Sequence, residues 1–258
     1  MEKALKKYFA VFALPTLIAF AISFLVPFLM GIYLSFTEFT TVTNTTWVGL
    51  KNYKALLGSP DFMNALWFTV KFTVVSVLSI NLIAFTLALL LTRGIKATNL
   101  FRTVFFMPNL IGGIVLGYIW QIIINGVLIK FGVDITFSAK YGFWGLVVLM
   151  NWQMAGYMMI IYIAGLQNIP GDLKEAAEID GASPFQTLRH ITIPMVMPSV
   201  TICTFLTLTN SFKLFDQNLA LTAGRPFLQQ PDGSVIKTTE MLALNIYNAF
   251  YSSSGNNR

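Results

Sequence analysis

The chain has 258 residues, of which 55% are hydrophobic and only 11% charged, with a net charge of +6. Because soluble domains usually carry about a quarter charged residues, this composition excludes an ordinary soluble domain and indicates a polytopic helical membrane protein. The single cysteine, Cys203, excludes an internal disulfide and a multi-cysteine metal site.

Apolar runs of about 20 residues, long enough to cross a hydrocarbon core of ~30 Å, recur along the chain. The first follows Lys3, Lys6 and Lys7, and this basic start places the N-terminus in the cytoplasm by the positive-inside rule. A cleaved signal peptide is the alternative, because Ala19-Phe20-Ala21 resembles a cleavage site. The five predicted spans cover approximately residues 8–36, 62–91, 103–124, 143–166 and 195–214.

The connection between the second and third runs contains Arg93, Lys96 and Arg102 and no acidic residue, so it is predicted to be cytoplasmic. Inside the third run, Pro108 and Gly112-Gly113 predict a bend or a close approach of two helices. A short helix is expected in the connection before the fourth run.

The most charged stretch lies between the fourth and fifth runs, from Glu175 to Gly181. Pro170-Gly171 precedes it as a breaker, and Asp172 is predicted to cap a short helix with Glu175 as its capping-box partner. Gly181 is predicted to end this helix in the left-handed conformation.

A second short helix is predicted directly afterwards. Ser183 is suited to cap it, with Pro184 at the first helical position and Gln186 completing a second capping box. Pro194 is then expected to open the fifth apolar run. On this pattern alone, an ordinary solvated loop between two spans remains an alternative.

The spacing of Glu175-Ala176-Ala177, Gly181, Ile191, Ile193 and Pro194 resembles the EAA loop of permease subunits in binding-protein-dependent ABC importers. Ile193 stands where that family more often has Leu. The segments Phe101–Pro108 and Ser211–Asp216 are similar to those of carbohydrate permeases of the maltose and glycerol-phosphate type. The resemblance covers nearly the whole chain.

The resemblance implies an all-α bundle of transmembrane helices that forms one domain, residues 1–258, in the bacterial cytoplasmic (inner) membrane. Residues 167–194 would be its cytoplasmic coupling loop. It implies three protein partners: a second permease subunit, a cytoplasmic ABC ATPase dimer that holds ATP and Mg²⁺, and an external solute-binding protein. The cargo would be a sugar or oligosaccharide.

The chain itself is predicted to have neither enzymatic activity nor a cofactor or metal. Its sequence has no phosphate-binding loop, and His190 is its only histidine, so ATP hydrolysis and a hydrolase triad are excluded. The net positive charge does not require nucleic acid, because Lys and Arg near spans set orientation and face anionic lipid.

The resemblance implies that this loop couples the permease to the ATPase. The small alanine side chains would let the partner surface approach closely, and the acidic side chains beside them would attract basic groups of the partner. The coupling residues are Glu175, Ala176, Ala177, Glu178, Asp180, Gly181 and Pro194. Candidate sugar contacts are polar or aromatic residues placed towards the bundle, for each of which helix packing is the alternative: Asn151, Trp152, Tyr157, Asn210, Lys213 and Asp216.

Lys213 and Asp216 are further predicted to share one helical face and to pair with each other at the outer end of the translocation route, because their exposure to lipid would be unfavourable.

Two other functions stay open at this point. A secondary transporter or channel that works alone would need ionisable residues inside its spans or an inverted repeat, and only Lys71 and Lys213 qualify. A purely structural membrane subunit would leave the Glu-Ala-Ala spacing unexplained.

The resemblance also implies six spans with both termini in the cytoplasm. Counting five spans from a cytoplasmic N-terminus places Arg258 outside. We therefore expect a sixth span to follow the amphipathic stretch Thr239–Phe250, and the sequence to stop before that span begins.

Overall fold

The structure is a computed structural model that describes residues 2–41, 44–94, 96–231, 233 and 235–255. The expected sixth span lies beyond Arg258 and so outside the described residues. Within the described part, five helices are long and apolar enough to cross a membrane, which confirms the predicted number of spans: Val11–Ser35, Pro60–Leu91, Gly113–Phe131, Ala139–Gln167 and Pro184–Phe212.

The chain divides into two compact units, Met1–Ser59 and Pro60–Arg258. In the first unit an aromatic cluster holds the segment after the first span, because the ring of Phe36 lies 5.4 Å from the rings of both Trp47 and Tyr53. The elements of this unit are α1 (Glu2–Phe20), α2 (Val26–Ser35), the antiparallel hairpin β1 (Thr37–Thr41) and β2 (Asn44–Trp47), and α3 (Lys51–Gly58).

The second unit contains the remaining helices and a second antiparallel hairpin. Its helices are α4 (Pro60–Leu91), α5 (Thr98–Phe106), α6 (Gly113–Leu128), α7 (Ala139–Gln167), α8 (Gly171–Ile179), α9 (Pro184–Thr187), α10 (Ile193–Phe212), α11 (Asp216–Leu221) and α12 (Leu242–Gly255). Its strands are β3 (Phe227–Gln229) and β4 (Val235–Lys237). The helical bundle is thus confirmed, with two small hairpins that the sequence pattern did not predict.

The central helix is α7. Of its most apolar stretch 67% is buried, against 28% or less in the other four spans. It packs against α4, whose buried residues include the small side chains of Ala65, Thr69, Ser76 and Ala84. Membrane helices gain no hydrophobic driving force for association, because lipid tails are also apolar. Small residues compensate by letting the two helices approach closely and pack well.

Side-chain hydrogen bonds also join α7 to α4. The hydroxyl of Tyr162 donates to Asn81 Oδ1 at 2.7 Å, and the amide of Asn151 donates to Ser79 Oγ at 2.9 Å. Polar groups that would be unfavourable in lipid therefore find partners between these two spans.

The third apolar run is interrupted where Pro108 and Gly112 predicted a bend. Helix α5 ends at Phe106, a 3₁₀ turn covers Met107–Leu110, and α6 begins at Gly113. The membrane-length helix therefore starts ten residues later than the run at Thr103, because Pro108 cannot donate a backbone hydrogen bond and Gly112 is extended.

Helix α5 lies very close to α7, as the glycine at position 156 shows. A Cβ atom built on Gly156 would lie 1.8 Å from the backbone oxygen of Phe105. Two backbones meet here, so no flexible side chain could move to make room. The close packing of α5 on α7, just before the break at Pro108, therefore requires a residue without a side chain at position 156.

We predict that Gly156→Ala destabilises the folded protein by about 1–3 kcal/mol, because the added methyl group forces α5 away from α7. The measurement is thermal unfolding of the purified protein in detergent. Gly126→Ala is the matched control, since Gly126 also lies within a helix but has nothing within 4 Å of the built Cβ atom. Equal melting temperatures of the two variants would contradict the prediction.

Candidate functional site

The connection between α7 and α10 begins with α8, whose first residue is Gly171. The N-cap position is Pro170, so Asp172 lies within the first turn and the predicted cap by Asp172 with Glu175 is wrong. The turn at Pro170-Gly171 starts the helix before Asp172 is reached. The Asp172 carboxylate still lies near the positive end of the helix dipole, which stabilises it.

Helix α8 ends in the predicted glycine turn. Gly181 has φ +75°, its N–H donates to the carbonyl of Glu178 at 3.1 Å, and the N–H of Ala182 donates to the carbonyl of Ala177 at 2.9 Å. These two bonds form a Schellman motif, which needs a left-handed residue at this position. The angle between α8 and the following helix is therefore fixed by Gly181.

The predicted second capping box is confirmed, but the short helix that it starts is not separate. Ser183 N donates to Gln186 Oε1 at 2.7 Å, and Gln186 N donates to Ser183 Oγ at 3.4 Å. From Pro184 the chain continues through a π-helical turn, Leu188–Thr192, into α10, so one helix spans Pro184–Phe212.

Pro194 therefore lies inside a continuous helix and does not open a new one. The N–H of Ile193 donates to the carbonyl of Leu188, one residue further back than in an α-helix. This wider turn directly precedes the proline, which has no N–H to donate, and such turns accommodate a missing bond without ending the helix.

The exposed surface of α8 and α9 differs from the one that the sequence predicted. Glu175, Glu178, Asp180 and Ala176 are exposed, as expected, whereas Ala177 packs into the protein. The most exposed apolar side chains are Ile179, 87% exposed, and Phe185, 67% exposed. They flank the Gly181 turn, and the signal that sequence reasoning missed was the presence of two large apolar residues in a charged connection.

A cavity of about 660 Å³ lies beneath this connection. Residues at the ends of α4 and α7 line it together with α8 and α9, and its charged groups are Arg93, Lys174 and Glu178. The basic connection after α4 and the connection between α7 and α10 thus meet at the same end of the second unit, as the charge pattern predicted.

A second cavity, of about 410 Å³ and here called the polar cavity, lies where α10 ends and α11 begins. Its lining contains four of the six candidate sugar contacts: Tyr157, Asn210, Lys213 and Asp216. The complete lining is Asn109, Met150, Gln153, Met154, Tyr157, Asn210, Lys213, Leu214, Phe215, Asp216 and Gln217. Amide groups, one cation, one anion and two aromatic rings therefore surround the same space.

The other two candidates lie elsewhere. The side chain of Asn151 faces α4, where it donates to Ser79. The ring of Trp152 packs edge-to-face on that of Trp120, with 5.6 Å between centroids. The structure therefore places both in helix packing and brings neither to the polar cavity.

Lys213 and Asp216 both line the cavity but do not share a helical face or form an ion pair. Helix α10 ends at Phe212 with Lys213 as its C-cap, and Asp216 lies in the first turn of α11. Each charge complements the dipole of its own helix end. Among the described residues, the ion pairs are Lys51–Glu38 and Lys237–Glu240, so the predicted pairing of Lys213 with Asp216 is wrong.

Sequence reasoning missed three amide side chains of the polar cavity: Asn109, Gln153 and Gln217. The amide of Gln217 donates to Gln153 Oε1 at 2.7 Å, and the amide of Gln153 donates to the carbonyl of Ile111 at 3.4 Å. Gln153 follows Asn151 and Trp152 in the one polar patch of α7, which was the available signal. No comparable sequence signal marked Gln217, because it lies outside the predicted apolar runs.

A buried asparagine holds α11 and the segment that follows it. Asn218 is fully buried, its amide donates to the carbonyl of Thr239 at 2.7 Å, and its Oδ1 accepts from the N–H of Met241 at 3.0 Å. Glu240, which lies between Thr239 and Met241, is also fully buried. Its carboxylate accepts hydrogen bonds from Lys237, at 3.1 Å, and from Asn245, at 2.9 Å. The hairpin β3–β4 is therefore tied to the wall of the polar cavity.

The side chains around the polar cavity can form hydrogen bonds and offer aromatic rings. Within the described ranges, no group of three or more His, Cys, Asp or Glu side chains could hold a metal ion. Amides, an ammonium, a carboxylate and aromatic rings around one cavity suit a ligand rich in hydroxyl groups, whose rings pack on aromatic faces.

Residues 80–244 match the family described as binding-protein-dependent transport system inner membrane component. The chain is 43% identical, over 95% of its length and 84% of the relative's, to a probable starch degradation products transport system permease protein, AmyD, of Thermoanaerobacterium thermosulfurigenes. It is 30% identical to the multiple sugar-binding transport system permease protein MsmF of Streptococcus mutans, over 98% of this chain and 88% of that protein.

The fold is similar to that of a solved structure. A chain of a bacterial ABC transporter involved in the import of the acidic polysaccharide alginate superposes with a TM-score of 0.77 and 21% sequence identity. The similarity covers 98% of this chain and 87% of that chain. The arrangement of helices described above therefore recurs in a solved transporter.

We predict that Asn218→Leu loosens the hairpin β3–β4, because it leaves the carbonyl of Thr239 and the N–H of Met241 buried without a partner. Trypsin should then cut after Lys237 roughly 5- to 30-fold faster, as expected for a loss of one or two kcal/mol. The control is Gln229→Leu, at an exposed position of β3. Equal cleavage rates in the two variants would count against this role of Asn218.

Proposed function

This chain belongs to the family of inner-membrane components of binding-protein-dependent transport systems, and from that premise we propose that it moves a sugar or oligosaccharide across the bacterial cytoplasmic membrane. It is a membrane permease of a binding-protein-dependent importer, and its family is one of transport proteins and not of enzymes. The proposal adds the cargo, the route and the source of energy.

The polar cavity supports a sugar as the cargo. Tyr157 and Phe215 offer ring faces, and Asn210, Gln153 and Gln217 offer amide donors and acceptors to hydroxyl groups. The names of two relatives point to the same class, since one is described by starch degradation products and the other by multiple sugars. The single observation that carries the proposal is this combination of rings and amides in one cavity between spans.

The energy is proposed to come from ATP hydrolysed by a partner ATPase dimer, with a second permease completing the pathway. This chain would contact the ATPase through the coupling residues Glu175, Ala176, Glu178, Asp180 and Gly181, together with the exposed side chains of Ile179 and Phe185. Two large apolar side chains exposed on either side of one turn, as Ile179 and Phe185 are, are typical of a surface that a partner covers.

The geometry of α9 and α10 supports a mechanical link between these two regions. One continuous helix, Pro184–Phe212, joins the Gly181 turn to Lys213 at the polar cavity. A movement imposed on α9 would therefore reach the cavity along one helix, without crossing a loop. We propose that the α8–α9 end faces the cytoplasm, together with the N-terminus, and that the polar cavity opens towards the other side.

For the coupling surface, we predict that Ile179→Asp and Glu175→Lys each reduce co-purification of the ATPase with the permease several-fold. The first places a charge in an apolar contact, and the second replaces an attractive charge by a repulsive one. Gly181→Asp should act in the same direction, because a side chain is strained at φ +75°.

Val235→Asp is the control for these variants, since Val235 is a half-exposed apolar residue of β4 at the opposite end of the unit. It should leave the yield of ATPase unchanged. Full ATPase recovery with normal sugar uptake in Ile179→Asp and Glu175→Lys would show that α8 and α9 do not form the docking surface.

For the cargo, we predict that Tyr157→Ala raises the KM for sugar uptake about 3- to 10-fold at an unchanged amount of assembled transporter, because a ring contact is lost. Trp152→Ala removes an aromatic side chain that lies outside the cavity and should leave KM unaltered. An unchanged KM in Tyr157→Ala, and unchanged uptake when Lys213 and Asp216 are both replaced by Ala, would place the sugar route elsewhere.

A further inference from the structure

We propose that the hydrogen bond between Gln217 and Gln153 is an exchangeable latch across the polar cavity, which hydroxyl groups of the cargo replace during transport. The latch would hold the two walls of the cavity together while the transporter waits for cargo. The proposal rests on the proposed function, because it requires a hydroxyl-rich cargo and an ATPase whose rate responds to the state of the cavity.

The first wall is formed by α11, whose Asp216 and Gln217 line the cavity and which packs on α6 behind it. A Cβ atom built on Gly117 would lie 2.5 Å from Cβ of Ala220, and one built on Gly113 would lie 2.9 Å from Cδ of Gln217. One turn further along α6, the amide of Gln121 donates to the carbonyl of Leu221 at 3.0 Å. Helix α11 therefore packs closely on α6, and Gln217 is carried on a helix that α6 supports.

The second wall is formed by α7 and α10. Gln153 lies near the middle of α7 and is only 7% exposed, although it lines the cavity. Its Oε1 accepts from Gln217, and its amide makes a long contact, 3.4 Å, with the carbonyl of Ile111 at the break before α6. Gln153 is therefore a point at which α7 is bonded to α11 and to the break before α6.

The chemistry of this contact suits exchange. A bond between two neutral amides contributes little net stability, and each amide can bond equally well to a sugar hydroxyl group. An ion pair at the same place would leave two buried charges when broken, which is strongly unfavourable. Lys213 and Asp216 line the same cavity, yet the contact across it uses the two glutamines.

The test is a double-mutant cycle on the reconstituted transporter with its ATPase and binding protein. Gln217→Met and Gln153→Met keep the size of the side chain and remove the hydrogen bond. Each should raise ATP hydrolysis in the absence of cargo about 2- to 10-fold, the range expected for one lost neutral hydrogen bond. Because both variants break the same bond, the double variant should show the same increase as either single variant.

Gln121→Met is the matched control. It also removes an amide hydrogen bond to α11, but at a residue that does not line the cavity. It should leave cargo-independent ATP hydrolysis at the wild-type rate per assembled transporter. If Gln153→Met assembles poorly, Gln217→Met and Gln217→Ala still provide the comparison, because Gln217 is only half-buried.

The outcomes separate the latch from the function on which it rests. Increases that add in the double variant, or that Gln121→Met reproduces, would overturn the latch while wild-type sugar uptake upholds the proposed function. A wild-type transporter that hydrolyses ATP without importing any sugar would overturn the proposed function and the latch with it. A shared, non-additive increase restricted to Gln153 and Gln217 supports the latch.

Discussion

The close approach of backbones to α7 is the constraint on which the second unit depends. Lipid tails are as apolar as leucine, so membrane helices gain little from burying apolar surface against each other and rely on tight packing and interhelical hydrogen bonds. Gly156 allows the backbone of Phe105 into contact with α7, and Tyr162 and Asn151 bond to α4 from the same helix. With α7 fixed in this way, the other spans of the unit can be less buried and still hold their places.

A second constraint follows from the first. Backbone that leaves helical geometry at membrane depth is tolerated only where protein or a cavity satisfies its polar groups. The break at Ile111 meets this condition, because the amide of Gln153 reaches its carbonyl and the 3₁₀ turn contributes Asn109 to the polar cavity. The amide and aromatic side chains of the polar cavity therefore collect where the third span is interrupted.

The α8–α9 connection and the polar cavity lie at the two ends of one continuous helix, and the π-helical turn before Pro194 keeps that helix intact. A separate second coupling helix, as the capping box alone suggested, would have placed a hinge between the two regions. In the proposed function, transmission of movement depends on the absence of that hinge, because a displacement of the Gly181 turn is then carried along α10 to Lys213. The apolar residues Ile179 and Phe185 lie at the end where such a displacement would be applied.

The sequence by itself determined the five spans, the glycine turn at Gly181, the capping box at Ser183 and the family, because apolar length, backbone conformation and motif spacing are local properties of the chain. It also selected four residues of the polar cavity from their type and position. Only the tertiary structure decided that Asn151 and Trp152 pack against other helices, that Lys213 and Asp216 belong to different helices, and that Gln153 meets Gln217. Those outcomes depend on where a side chain lies relative to segments distant in the chain, and neither helical periodicity nor residue type carries that information.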